Sequence, residues 1–212
     1  MKLIVGLGNP GRIYARSRHN IGNAIVRALA REYGATLKKE PGIACLSGKC
    51  KIGGQNIVLA LPLTFMNLSG LAVSAMAKKY KPEGSGLASS SQSHKIELNN
   101  LLVVCDDLDL EFGRLKIKWS GSSGGHRGIK SIVDSVKSNA FCRLRIGIGR
   151  PSLDLDAAEY VLSSFAKKEK IQLIEITQRA LDCCNAWVVK GVNAAMNIFN
   201  GAEKKEGVNY VE

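Results

Sequence analysis

Residues 1–20 read MKLIVGLGNPGRIYARSRHN and set the architecture to expect. An apolar run at 2–7 reads as a strand that leaves through a glycine turn and delivers Asn9, and after it His19, to its exit. Open α/β sheets hold their ligands at such exits. An imidazole, with an unperturbed pKa of about 6.5, suits general-base work near neutral pH. The chain has only two other histidines, His94 and His126, so a search for chemistry starts at His19. GLGNPG at 6–11 formally matches a dinucleotide-binding turn. Such a turn should open a helix and be followed by an acidic residue about 20 positions on, ending a second strand. Here Pro10 and the polar run 11–18 delay the helix to about His19, and the acid at the right distance, Glu32, falls on that helix. Nucleotide binding is therefore set aside.

Outward from this stretch, strand-like and helix-like patterns alternate, which predicts an α/β class. Strands are expected at 2–7, 43–52, 57–61, 101–105, 114–119 and 143–149, and helices at 19–33, 71–80, 125–137, 168–190 and 194–200. Gly53 and Gly54 predict a hairpin turn, so the sheet is expected to be mixed. In the long helix, Ile174, Leu181 and Val188 recur every seven residues, with Thr177 and Cys184 between them, and predict the face that packs on the sheet. Residues 82–99, PEGSGLASSSQSHKIELN, lack an apolar period and read as a mobile Ser/Gly-rich surface insertion, which gives His94 no site role. The domain reading is one unit over 1–200, with a polar C-terminal tail at 201–212.

With 212 residues and 45% hydrophobic content, the chain suffices for one sizeable core. Six cysteines form no CxxC pair and read as reduced core residues of a cytoplasmic protein. The first apolar run is too short for a signal peptide or a membrane span. Net charge is +12; between Arg114 and Arg150 nine basic residues face one acid, Asp134. A second basic set, Arg12, Arg16 and Arg18, brackets the turn that carries His19. Charge concentrated on glycine-rich loops, without a basic amphipathic helix, points to nucleic acid before membrane.

Three further stretches carry candidate chemistry. PLTFMNLSG at 62–70 leaves a strand and enters a helix; Thr64 or Asn67 would cap that helix, or Phe65, Met66 and Asn67 would form a ligand floor with an apolar surface and one amide. Asp106, Asp107 and Asp109 end the apolar strand at 101–105. They lack the additional ligands of a metal cage, whereas a carboxylate at a strand end can hold one nitrogen of a histidine and leave the other basic. Asp106 is the expected partner of His19. SGSSGGHRG at 120–128 feeds a helix start beside Lys116, Lys118 and Lys130 and reads as a phosphate seat.

Taken together, KLIVGLGNPG, Tyr14, RHNIG, TFMNLSG, DDLDL followed by FG, the GGH-x-G loop and RLRIGIGRP resemble the bacterial-type peptidyl-tRNA hydrolases over residues 1 to about 200. The resemblance implies a single α/β domain with a mixed, twisted sheet sandwiched by helices, acting as a monomer without metal or organic cofactor. It implies hydrolysis of the ester between a peptide's C-terminus and the 3′-terminal ribose of tRNA, which rescues tRNA from peptides dropped by the ribosome. By the same resemblance His19 is the general base, Asp106 its carboxylate partner and Asn9 the amide that reads the substrate's acylated amino group. Tyr14, Phe65 and Asn67 contact the substrate end, Met66 lines the cleft, and Lys118 and Arg145 grip tRNA phosphates, with Lys116 and Lys130 beside them. His126 and Arg127 fall on the substrate side. Arg127 departs from the family's usual asparagine; a guanidinium donates but cannot accept, so it can clamp a phosphate but not orient a peptide as an amide would. Either Asn9 or Asn67 would stabilise the oxyanion. The rival reading is a non-catalytic RNA-binding protein on the same fold.

Overall fold

The run Leu101–Asp107, LLVVCDD, is buried along its whole length, as a strand covered on both faces must be. A computed structural model describes residues 1–80, 98–151 and 155–201. In it this run is β5 of a seven-stranded sheet formed with β1 (Lys2–Gly6), β2 (Lys38–Lys39), β3 (Cys45–Ile52), β4 (Gln55–Pro62), β6 (Leu115–Lys118) and β7 (Cys142–Gly147), in the order β2-β3-β4-β1-β5-β7-β6. The four inner strands run parallel, while β2, β3 and β6 pair antiparallel at the margins. The expected mixed sheet is therefore present. Gly53 and Gly54, at φ 53° and 78°, make the tight turn between β3 and β4, as a two-residue hairpin requires.

Helices cover both faces. On one, Ile25 and Leu29 of α1 (Ile21–Glu32), Cys184 and Trp187 of α5 (Lys167–Lys190) and Ala195 of α6 (Val192–Phe199) share a core with Ile4, Leu59 and Val104 of the sheet. On the other, Val73 and Met76 of α2 (Ser69–Lys79) and Ile129 and Ile132 of α3 (Arg127–Val136) pack on Val5, Val58 and Val103. Each such large apolar side chain contributes about 1.5–3 kcal/mol by leaving water. The C-terminal end of α5 is tied back to β1, because Lys2 Nζ donates to the carbonyls of Trp187 and Val188 at 3.1 and 2.7 Å. Parallel β4, β1, β5 and β7 all exit at one edge. The chain passes from β1 to β4 on one side and later to β5 on the other, which opens a crevice at that edge.

Several expectations need correction. Ile174 is 78% exposed, although Leu181 and Val188 are buried. Seven residues fall short of two full turns, so a heptad line drifts round a helix. The face that is buried follows Ile176, Ala180, Cys183 and Trp187 instead. The helix expected from His19 begins as a 3-10 turn, Arg18–Asn20, ahead of α1. A six-residue helix, α4 (Ala157–Leu162), and the two-residue β2 were not foreseen. Residues 82–97 of the predicted insertion, His94 among them, and 202–212 of the predicted tail lie outside the described residues. Among the described residues no helix is long and apolar enough to cross a membrane.

Candidate active site

The tripeptide Arg18-His19-Asn20 sits at the exit edge, and each of its side chains holds a different element. Helix α1 presses close to the sheet because residue 22 is glycine; a Cβ there would lie 2.2 Å from the carbonyl oxygen of Val104. This close approach puts the His19 ring beside the end of β5. His19 Nδ1 lies 2.8 and 2.9 Å from the two carboxylate oxygens of Asp106. A carboxylate accepts, so the proton is on Nδ1. The free lone pair is on Nε2, for which no partner exists among the described residues, and the ring lines a cleft of about 590 Å³.

Asp106 is shared. Its Oδ1 also lies 3.1 Å from His126 Nε2, and the two imidazole rings stand 4.9 Å apart, tilted by 41°. His126 Nδ1 accepts from the amides of Gly128 and Ile129, at 3.1 and 3.3 Å, and so caps α3. Those two amides fix the tautomer: Nδ1 is the acceptor and Nε2 donates to Asp106. Burial alone pushes the Asp106 carboxyl up. The His126 imidazole, and then that of His19, outweigh burial by charge and hydrogen bonding and hold it well below the usual carboxylate range.

Asn20 brackets Asn9. The Asn20 side chain accepts from the Asn9 amide at 2.8 Å and donates to the Asn9 carbonyl at 2.9 Å. Asn9 Oδ1 in turn accepts from the Met66 amide at 2.8 Å. With its oxygen engaged, Asn9 presents only its NH₂ to the cleft, a donor suited to a carbonyl oxygen or an oxyanion. Phe65, Met66 and Asn67 form the opposite floor, and Val161 and Leu162 of α4 form a wall.

Of the other expected residues, Arg127 and Arg145 also line the cleft, whereas Tyr14, Lys116, Lys118 and Lys130 do not. Arg145 is held by its Nε at 2.7 Å from Asp107 Oδ2. Lys116 stands beside Arg145 in the β6–β7 register and Lys118 beside Arg143. Lys130 pairs with Asp134 one turn on, at 2.7 Å. Two arginines of the basic sets are buried, Arg18 and Arg143. Arg18 pairs with Glu169, and Arg143 donates to the carbonyls of Gly121, Ser122 and Asn139, pinning the glycine-rich loop from beneath. Two of the helix-start amides expected to seat a phosphate, those of Gly128 and Ile129, are occupied by the His126 ring. Neither Thr64 nor Asn67 caps α2, which receives Ser131 Oγ on its Gly70 amide at 2.9 Å instead.

The three neighbouring aspartates also divide their duties: Asp106 holds the histidines, Asp107 holds Arg145, and Asp109 meets Arg150 at 2.5 Å. A metal-capable group among the described residues is His19, Asp106 and His126, with ligand atoms within 4.8 Å of one another. Each ring nitrogen lies at hydrogen-bond distance from the carboxylate with a proton between them, which fits a hydrogen-bonded carboxylate–imidazole pair better than an open coordination shell. The residues not foreseen are Arg18, Asn20, Asp107, Glu169 and the α4 wall. Only the RHN string carried a signal for the first two.

Comparison with known proteins places this geometry in a family. Residues 3–207 match the family model described as peptidyl-tRNA hydrolase. The peptidyl-tRNA hydrolase of Alkaliphilus metalliredigens is 41% identical over 201 residues, covering 95% of this chain and 100% of that protein. That of Chloroflexus aggregans is 43% identical over 200 residues, with 94% and 99% covered. A crystal structure of the Acinetobacter baumannii peptidyl-tRNA hydrolase superposes with a TM-score of 0.83 at 36% identity, covering 96% of each chain.

Proposed function

The chain belongs to the peptidyl-tRNA hydrolase family and hydrolyses peptidyl-tRNA, and we propose that it does so by attack of a His19-activated water on the ester at the 3′-terminal ribose. The single observation that carries this reading is His19 Nδ1 tied to both oxygens of Asp106 while the ring borders the cleft beside the Asn9 amide. In this reading His19 Nε2 takes a proton from water as the hydroxide adds to the ester carbonyl carbon. The negative charge that develops on the carbonyl oxygen meets the Asn9 NH₂. Asn67 carries no such fixed orientation, which favours Asn9 as that donor. Collapse breaks the bond to the ribose oxygen, which leaves with the proton held by the imidazolium, giving free tRNA and a peptide acid. Asp106 stays ionised and supports the imidazolium that forms between the two steps.

Phe65, Met66 and Asn67 receive the substrate end, with His126 and Arg127 across from them. Tyr14 stands outside the cleft, so contact with substrate from there would need the acceptor stem to lie over the 11–16 loop. Lys116, Lys118, Lys130 and Arg145 supply cations for the tRNA backbone; phosphate contacts read no sequence, which suits an enzyme that accepts many tRNAs. A covalent thiol route finds no support, since burial pushes the Cys105 thiol, next to Asp106, far above its ordinary value. The working form is proposed to be a monomer in the cytoplasm, in keeping with six free cysteines and a substrate produced by ribosomes. The non-catalytic RNA-binding alternative is not favoured.

The test compares N-acylated aminoacyl-tRNA with its free-amine counterpart, using the unsubstituted chain and His19→Ala. The blocked ester is expected to be cleaved selectively, and His19→Ala to lower turnover by about 10²- to 10⁴-fold while tRNA still binds. Near-normal turnover in His19→Ala would remove the histidine from its role.

A further inference from the structure

Arg18 is 6% exposed, and its guanidinium is engaged both at its N–H edges and over its face. Its Nη1 and Nη2 meet Glu169 Oε1 and Oε2 at 2.8 and 2.9 Å, a two-pronged ion pair. Its Nε points at Ser163 Oγ at 3.3 Å. The guanidinium plane lies over Tyr160 and Phe165, with centroids at 4.3 and 4.9 Å. The Arg18 amide donates to the Ser163 carbonyl at 3.0 Å, and Ser17 and Ser164 form an isolated β-bridge. All of these partners belong to α4, to the start of α5 or to the link between them. The residue that follows Arg18 is His19. The helix that Tyr160 belongs to carries Val161 and Leu162, the cleft wall.

We propose that Arg18 and Glu169 are positioning residues whose forked ion pair fixes the separation between the His19 turn and helix α4, and so sets the width of the cleft. This rests on the reading that peptidyl-tRNA is bound and cleaved in that cleft. Three observations favour a positioning role over simple stabilisation. A buried ion pair is a poor source of stability, because desolvation offsets its attraction. What it supplies is direction: a planar fork accepts one geometry, and two aromatic rings hold that plane. Glu169 Oε2 also accepts from the Ala166 amide at 2.6 Å, so the same carboxylate that grips Arg18 defines where α5 begins. Tyr160 is anchored at its other end by its hydroxyl, which donates to the Ile148 carbonyl beyond β7 at 2.7 Å. Helix α4 has no fully buried residue of its own, so its placement depends on these tethers. His19, in contrast, is fixed independently by Asp106 on β5. Loosening the clamp should move the wall and leave the base in place.

The experiment uses Arg18→Lys, which keeps the charge but loses the fork, and Glu169→Gln, whose amide oxygen can still cap Ala166. Steady-state hydrolysis of N-acylated aminoacyl-tRNA is measured together with amide hydrogen exchange over residues 157–162. We expect KM to rise by about five- to tenfold with kcat within about twofold, the pattern of lost binding without lost chemistry, and exchange in α4 to increase. Unchanged KM with unchanged α4 exchange overturns the proposal, as does a fall in kcat at constant KM, which would mean that Arg18 acts on the base instead of the wall. If Arg18→Lys does not fold, Glu169→Gln decides alone. Failure of the catalytic reading is separable, since it would appear as an active His19→Ala enzyme whatever the clamp variants do.

Discussion

Among the described residues two carboxylates are buried, paired and driven below their ordinary pKa range, and only one lies at the proposed site. Asp106 is 3% exposed and Glu40 is 7% exposed. Around Glu40 burial likewise pushes the carboxyl up, and hydrogen bonds from Lys79, Ser47 and Tyr80 outweigh it. Lys79 Nζ lies at 2.5 Å and Tyr80 Oη at 3.0 Å. The electrostatics of the two regions are thus alike, but the partners differ. Those of Glu40 are an ammonium, a phenol and a hydroxyl, which finish a contact between the end of α2 and the β2–β3 pair. His19, the partner of Asp106, carries a second ring nitrogen beyond the one it uses, on a ring that borders open space. A perturbed carboxylate marks a site only when what it holds has chemistry left over.

Substitutions at the two carboxylates and their partners test that contrast. After His19→Ala, the largest effect is expected at Asp106→Asn. With an NH₂ in place of Oδ2, which lies 2.9 Å from His19 Nδ1, an asparagine sets donor against donor and favours the wrong tautomer, and it loses the charge that supports the imidazolium. Turnover should fall by about 10- to 100-fold, less than for His19→Ala; kcat equal to that of the unsubstituted enzyme would place Asp106 with Glu40 as scaffolding. An intermediate effect is expected among the cations. Replacing Lys118 and Arg145 by alanine should flatten the salt dependence of tRNA affinity by about one unit of slope per lost phosphate contact. Lys79→Ala should leave the slope alone; a drop there would put the RNA on the Glu40 side.

The smallest effect on turnover belongs to Glu40→Gln, which should hydrolyse at the normal rate but melt a few degrees lower, as about 1 kcal/mol produces in a chain of this size. A carboxyl whose folded pKa is depressed contributes stability above its unfolded pKa of about 4.3 and loses it as pH falls through the folded value. The melting gap should therefore be full near neutrality and close under acid, below the usual glutamate range. A gap that persists there would mean that the ion pair is not its source.

The same contrast explains what could be read from sequence. Asp106 and His19 were legible because each closes a conspicuous string, one an apolar strand and the other a glycine-turn segment. Glu40 and Glu169 were not, since each lies in a polar context and meets its partner 39 and 151 positions away. Arg18 reads from sequence only as one of a basic set, because charge pattern alone cannot show that a distant carboxylate and two aromatic rings converge on it. The strand alternation and the hairpin glycines carried the sheet. Helix α4 escaped because six residues hold less than two turns, too short for an apolar period to emerge, and β2 because two exposed lysines have no alternation to display. The orientation of Asn9 was settled by a backbone amide 57 residues away, a contact that exists only once β1 and β4 lie side by side.

The lone pair on His126 Nδ1 holds the first turn of α3 together. Two imidazoles therefore flank one carboxylate, yet only one of them offers the cleft an unshared electron pair. The asymmetry is imposed by a helix start and not by any difference between the rings themselves. In the proposed reaction a cleft with twin histidines is in this way restricted to a single proton acceptor, which would give an incoming water one direction in which to give up its hydrogen.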